Sequence, residues 1–149
     1  MMKLGIQVSS LKPLLLSKEQ VAQSCEKMKA LGCDTVQLQW IDRSVEIEDI
    51  AAALEKNGIQ SVSVQDFYEL VEQDFEYYVN LNTATGGTWL CVSRIPETCK
   101  SREGLDVFIG KLKDMAARLP QGQKLCLHPV TFGLLLTASH AQSELRCPA

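Results

Sequence analysis

An α/β fold with a parallel sheet, forming part of a (β/α)8 TIM barrel, is predicted by three features of this 149-residue sequence. Short apolar segments alternate with longer helical patterns along most of the chain. Glycines stand ahead of four of those segments, at Gly32, Gly58, Gly87 and Gly122. Within the segments, apolar and polar residues alternate. Strand and helix patterns in this order argue for βαβ units and a parallel sheet. An open doubly wound sheet carries helices on both faces, so its strands run apolar throughout. These strands keep one polar face, which suits a barrel interior that opens into a site. About four βα units plus a fifth strand can be counted.

Each element has its own signal. "LGIQVSS" (4–10) reads as the first strand and "SKEQVAQSCEKMKALG" (17–32) as the first helix. Ser17 and Gln20 have capping-box spacing, Val21, Cys25, Met28 and Leu31 share a face, and Gly32 closes it. "DTVQLQW" (34–40) is the second strand. "EIEDIAAALEKNG" (46–58) follows, with Ile47, Ile50, Ala51 and Leu54 inward. "IQSVSVQDF" (59–67) is the third strand, and "DFEYYVNLNTATGG" (74–87) a weaker helix with Phe75, Tyr78 and Val79. "TWLCVSRI" (88–95) is the fourth strand. "SREGLDVFIGKLKDMAARLP" (101–120) is a helix carrying Leu105, Phe108, Ile109, Leu112, Met115 and Leu119. "KLCLHPV" (124–130) is the fifth strand, stopped by a proline. One face of these strands reads Leu4, Ile6, Val8, Val36, Leu38, Val62, Val64, Leu90, Val92, Leu125 and Leu127. The other reads Gln7, Ser9, Gln37, Gln39, Ser63, Gln65, Cys91, Ser93, Cys126 and His128.

Bulk properties narrow the function. A net charge of −3 gives no basic field for a phosphate backbone, which argues against a nucleic-acid partner. The start "MMKLGIQVSS" lacks the apolar core of a signal peptide, and no run is long enough for a membrane span. The six cysteines have no CxxC spacing and lie mostly inside apolar segments, as packing residues of a reducing cytoplasm do. No GxGxxG follows the first strand, so the dinucleotide fingerprint is absent.

Over roughly residues 2–132, "MKLGIQVSS", "LGCDTVQLQW", "NGIQSVSVQDFYEL" and "LCLHPVTF" resemble the sugar phosphate isomerase/epimerase superfamily. These are the barrels similar to xylose isomerase and to the endonuclease IV family. The resemblance implies a site at the carboxyl end of the barrel, where a divalent cation (manganese, magnesium or zinc) polarises a sugar carbonyl while protons move beside it. It also implies a small-molecule sugar or sugar phosphate as substrate. The superfamily's first metal ligand, a glutamate, would fall where His128 stands or, in another pattern, at Gly133. Neither position is a glutamate, and the remaining ligands would come from strands six to eight. A full barrel takes about 250 residues. The expected organisation is therefore an amino-terminal barrel portion, 1–132, and an atypical tail, 133–149. The tail reads either as an out-of-frame sequence or as a short helix with Leu134, Leu135, Ala138, Ala141 and Leu145 on a loose stripe.

Candidate substrate-binding residues are Gln7, Gln39, Gln65, Ser93 and His128, which share the polar face at strand ends. Amides donate and accept, which suits a polyol; the plainer role is a polar network filling the barrel mouth. His128 can contact substrate there or simply bond backbone at a strand end. Asp66 and Glu69 have the spacing of a helix start and read as a cap. Arg94 can meet a phosphate or be a solvated loop residue, and Trp40 can stack on a sugar ring or pack in the core. No residue is assigned a catalytic role. The leading reading is a metal-dependent sugar isomerase or epimerase, inactive in this chain alone. The alternative is a noncatalytic half-barrel that self-associates as a homo-oligomer. An endonuclease of the same superfamily would need many histidines, and the sequence has two.

Overall fold

The structure is a computed structural model that describes residues 4–128. Five parallel strands pair in sequential order: β1 (Leu4–Gln7), β2 (Cys33–Leu38), β3 (Gln60–Phe67), β4 (Trp89–Ser93) and β5 (Lys124–His128). Five helices join them: α1 (Lys18–Ala30), α2 (Ile47–Lys56), α3 (Tyr68–Gln73), α4 (Phe75–Ala84) and α5 (Arg102–Ala117). This is the predicted partial barrel. Among the described residues β1 and β5 each have a strand neighbour on one side alone.

Register explains the core. Leu38, Val64, Leu90 and Leu125 form one lateral row, and Asp66, Val92 and Leu127 the next on the same face. Of these, Leu38, Val64, Leu90 and Val92 are no more than 2% exposed. Burying such a side chain contributes about 1.5–3 kcal/mol. Val21, Cys25 and Met28 of α1, Ile50 and Leu54 of α2, and Leu105, Phe108 and Met115 of α5 are buried in the same core. The α1 cap is as expected: the Ser17 hydroxyl accepts from the Gln20 backbone N–H, and Gly32, at φ +84°, ends the helix. Ser101 caps α5 in the same way, through Gly104.

Four expectations need correction. Val62 is 40% exposed, whereas Ser61 is 1% exposed. The register slips between Val36, which faces Ser61, and Gln37, which faces Ser63, so Val62 is left without a partner and the phase reverses below it. The first strand stops at Gln7, because Val8–Leu14 winds into a 3-10 helix that includes Pro13, and Ser9 leaves the strand face. Leu31, 76% exposed, stands past the last turn of α1, and Ile109 is half-exposed on α5. Finally, α3 is an additional helix directly after β3. No helix among the described residues is long and apolar enough to cross a membrane. Pro129, Val130, Gly133, His140 and the expected tail 133–149 lie outside the described residues.

Candidate functional site

Register partners in a parallel sheet present their side chains to the same face. On the face opposite the core, Gln7, Gln37, Ser63, Trp89 and Lys124 make the lowest row. Gln65, Cys91 and Cys126 make the next, and Phe67, Ser93 and His128 the uppermost. Gln39 lies one residue beyond β2. Two residues separate successive rows, so the set extends about 13 Å along the strands at about 3.3 Å per residue. The structure brings the candidates together as two pairs with Gln65 between them. Gln7 Nε2 donates to Gln39 Oε1 at 2.7 Å. Ser93 and His128 are lateral neighbours across β4 and β5.

Their environments differ. Gln39, Gln65 and Ser93 are buried, and Gln7 and His128 are exposed. The Ser93 hydroxyl donates to the Asp66 carbonyl at 3.2 Å. Gln65 Oε1 is buried with no hydrogen-bond partner among the described residues. Leaving an amide oxygen so placed costs about 1–3 kcal/mol, which a donor would recover. Cys91, beside Gln65, has its thiol pushed up to about 12 by burial and then by Cys126, so it stays an inert thiol.

A second cluster, on the core-facing side of the same strand ends, was not anticipated. Asp66 is 6% exposed. Its Oδ1 accepts from Trp40 Nε1 at 3.2 Å and from the Phe67 backbone N–H at 2.8 Å. Its Oδ2 accepts from the Tyr78 hydroxyl at 2.8 Å. It does not cap α3, whose N-cap residue is Phe67 with no side-chain bond. Burial, and then the Asp66 carboxylate, push the Tyr78 hydroxyl well above its ordinary value. Beside it the Arg43 guanidinium lies 3.3 Å from the Tyr77 ring centroid and pairs with Asp74 at 3.1 Å. A cleft of about 290 Å³ opens between Lys12, Trp40, Arg43, Asp66, Leu70 and Tyr78. The one sequence signal for this cluster was a charged residue in the apolar phase of the third strand.

Trp40 and Arg94 are the two non-glycine residues at positive φ among the described residues, +58° and +66°. Each follows a strand, β2 or β4, and each reaches Phe67. The Trp40 ring is tilted against it at 5.8 Å between centroids, and the Arg94 guanidinium stands 4.0 Å from its centroid.

The cation implied by the resemblance needs several donors around one point. Among the described residues no group of three His, Cys, Asp or Glu side chains is placed to hold one. Asp66 and His128, the acid and imidazole at these strand ends, lie on opposite faces of the sheet, and three donors already occupy the Asp66 carboxylate. The described residues do not make a metal site.

No family model matches the sequence, and neither does any curated protein. A solved structure does match in three dimensions: an AP endonuclease, family 2, from Brucella melitensis, with a TM-score of 0.68 at 16% identity. The match covers 98% of this chain and 66% of that one, so the chain spans just under two thirds of its length. At that identity the likeness is one of fold. The described chain is a five-stranded portion of a TIM-barrel-like fold.

Proposed function

We propose that this chain is part of a barrel of the xylose isomerase-like superfamily that acts on a sugar or sugar phosphate, an isomerase or epimerase moving a proton next to the carbonyl. The observation that carries the reading is the single polar face at the strand ends, where Gln7, Gln39, Gln65, Ser93 and His128 stand clear of the core. A polyol needs groups that donate and accept around one surface. The Gln65 carbonyl with no partner supports a ligand hydroxyl there. His128, exposed at the end of β5, contacts substrate rather than metal. The described residues do not assemble the superfamily's cation site, so the chain by itself is proposed to bind without turnover. The endonuclease activity in the matched structure's name stays with that protein; an acidic chain with two histidines fits a small carbohydrate better than a nucleic acid. The five described cysteines are free thiols, in keeping with a reducing cytoplasm.

A second reading, a noncatalytic half-barrel that pairs with another copy, is favoured by the one-sided pairing of β1 and β5 among the described residues and by Trp89, 41% exposed on the polar face. Calorimetry with free ketoses and aldoses, run beside metal analysis of the purified chain, separates the two. The carbohydrate reading expects saturable sugar binding that Gln39→Leu weakens at least about fivefold, about one lost hydrogen bond. Absence of binding to every sugar, with a concentration-dependent dimer instead, would leave the second reading standing.

A further inference from the structure

We infer that Arg94 is a preorganised oxyanion receptor at this site, and that the ligand bound there carries a phosphate ester or a carboxylate. Three arginines of the described chain lay their guanidinium groups on aromatic rings. Arg43 lies over Tyr77 at 3.3 Å, Arg118 over Phe75 at 4.3 Å and Arg94 over Phe67 at 4.0 Å. Arg43 is closed by Asp74 and Arg118 by Glu76. Among the described residues Arg94 has no carboxylate in ion-pair contact. Glu97, the nearest acid in sequence, pairs with Lys100. Asp66 belongs to the opposite row of the sheet and is held by Trp40, Tyr78 and the Phe67 N–H.

Stacking uses the face of a guanidinium and leaves its N–H edge free. That edge is a rigid fork matched to two oxygens of one oxyanion. The backbone that carries the fork is also held in an unusual conformation. A φ of +66° at an arginine is strained, and strain of this kind is kept where the surroundings impose a conformation. Trp40 at φ +58° approaches the same phenyl ring from the neighbouring loop, so two strained loop residues fix one platform. Phe67 shares its row with Ser93 and His128, which puts the stacked guanidinium at the end of the polar face where those side chains stand. The inference rests on the carbohydrate reading for the neutral part of the ligand, but the anion has its own readout.

The test is an NMR titration of the 149-residue chain with inorganic phosphate, following the Arg94 Nε–H and the neighbouring backbone amides. Saturable shifts centred on Arg94 are expected. Arg94→Gly suits the positive φ and should keep the fold while losing them. Arg94→Lys keeps the charge but not the fork, and should weaken binding about tenfold or more. A free ketopentose, its 5-phosphate ester and a uronate then identify the source of the anion. A preference for the ester or for the uronate that disappears in Arg94→Gly supports the inference and says which oxyanion is meant. Phosphate shifts scattered over surface lysines, or neither the ester nor the uronate binding tighter than the free ketose, would overturn it. In that case binding of the free ketose would still uphold the carbohydrate reading, whereas anion binding with no ketose binding would uphold Arg94 and refute the carbohydrate.

Discussion

Asp66 stabilises the strand ends through three donors on one buried carboxylate. Hydrogen bonds to a charged group contribute about 1.5–3 kcal/mol each, and their loss leaves Trp40 and Tyr78 donors without an acceptor. Asp66→Ala should therefore cost about 3 kcal/mol or more in urea unfolding, with Tyr78→Phe costing about half as much. A cost near zero for Asp66→Ala would mean that the cluster is open to water. The tyrosines make a pH prediction. Burial is the leading cause that raises Tyr68, Tyr77 and Tyr78, the three tyrosines of the chain. A folded value above the unfolded one means that the stability is complete below about pH 10 and is lost as pH rises beyond it. Absorbance at 295 nm should show no phenolate in the folded chain near pH 10, followed by a joint rise of phenolate and unfolding. Ionisation of one tyrosine near pH 10 without unfolding would contradict the burial described. Asp66 was hard to read from sequence because its helix-start spacing with Glu69 offered a local role, and its real partners, Trp40 and Tyr78, lie 26 and 12 residues away.

At the scale of elements, β3 carries the irregularity. Its slip against β2 puts Ser61 into the core-facing row, 1% exposed with its hydroxyl unpaired among the described residues, and leaves Val62 40% exposed. Removing an unpaired buried hydroxyl relieves a desolvation penalty. Ser61→Ala should then be neutral or stabilising by about 1 kcal/mol, whereas an ordinary strand serine would lose a bond; thermal unfolding of the two chains decides it. The α4–β4 turn is the opposite case. A Cβ on Gly87 would sit 2.0 Å from Asn82 Oδ1, and Asn82 is fully buried and tied to the Gly87 carbonyl and Gln123 Oε1. Gly87→Ala should cost about 1–3 kcal/mol, as overpacking does, and a neutral result in the same unfolding assay would mean that Asn82 can move. Alternation was enough to phase β2, β4 and most of β3, because each has one buried face. It failed at Val62, since a slip in pairing leaves no mark on the sequence of a single strand. Val8 is buried as its phase predicts, but the strand has already ended there and Ser9 leaves its face, where Pro13 was the available warning of a turn.

For the whole molecule, sequential parallel order was legible because each strand is followed by a helical pattern with stop signals such as Gly32. The site was legible in part: Gln7, Gln65, Ser93 and His128 share a face, while the joint approach of Trp40 and Arg94 to Phe67 depends on backbone angles that residue types do not encode. Among the described residues, one-sided pairing of β1 and β5 leaves backbone groups that favour association. Sedimentation of the purified chain is expected to show mass rising with concentration; a constant monomer mass would show that these edges are satisfied within one chain. Whether the polar face at the strand ends receives a carbohydrate is decided by following the side-chain amide signals of Gln7, Gln39 and Gln65 during titration with a free ketose. Saturable shifts are expected at all three, with the His128 ring signals moving in step and the Asn82 amide, sealed in the core, unchanged. Stationary glutamine signals, with sugar-induced shifts confined to other surfaces or absent, would contradict it.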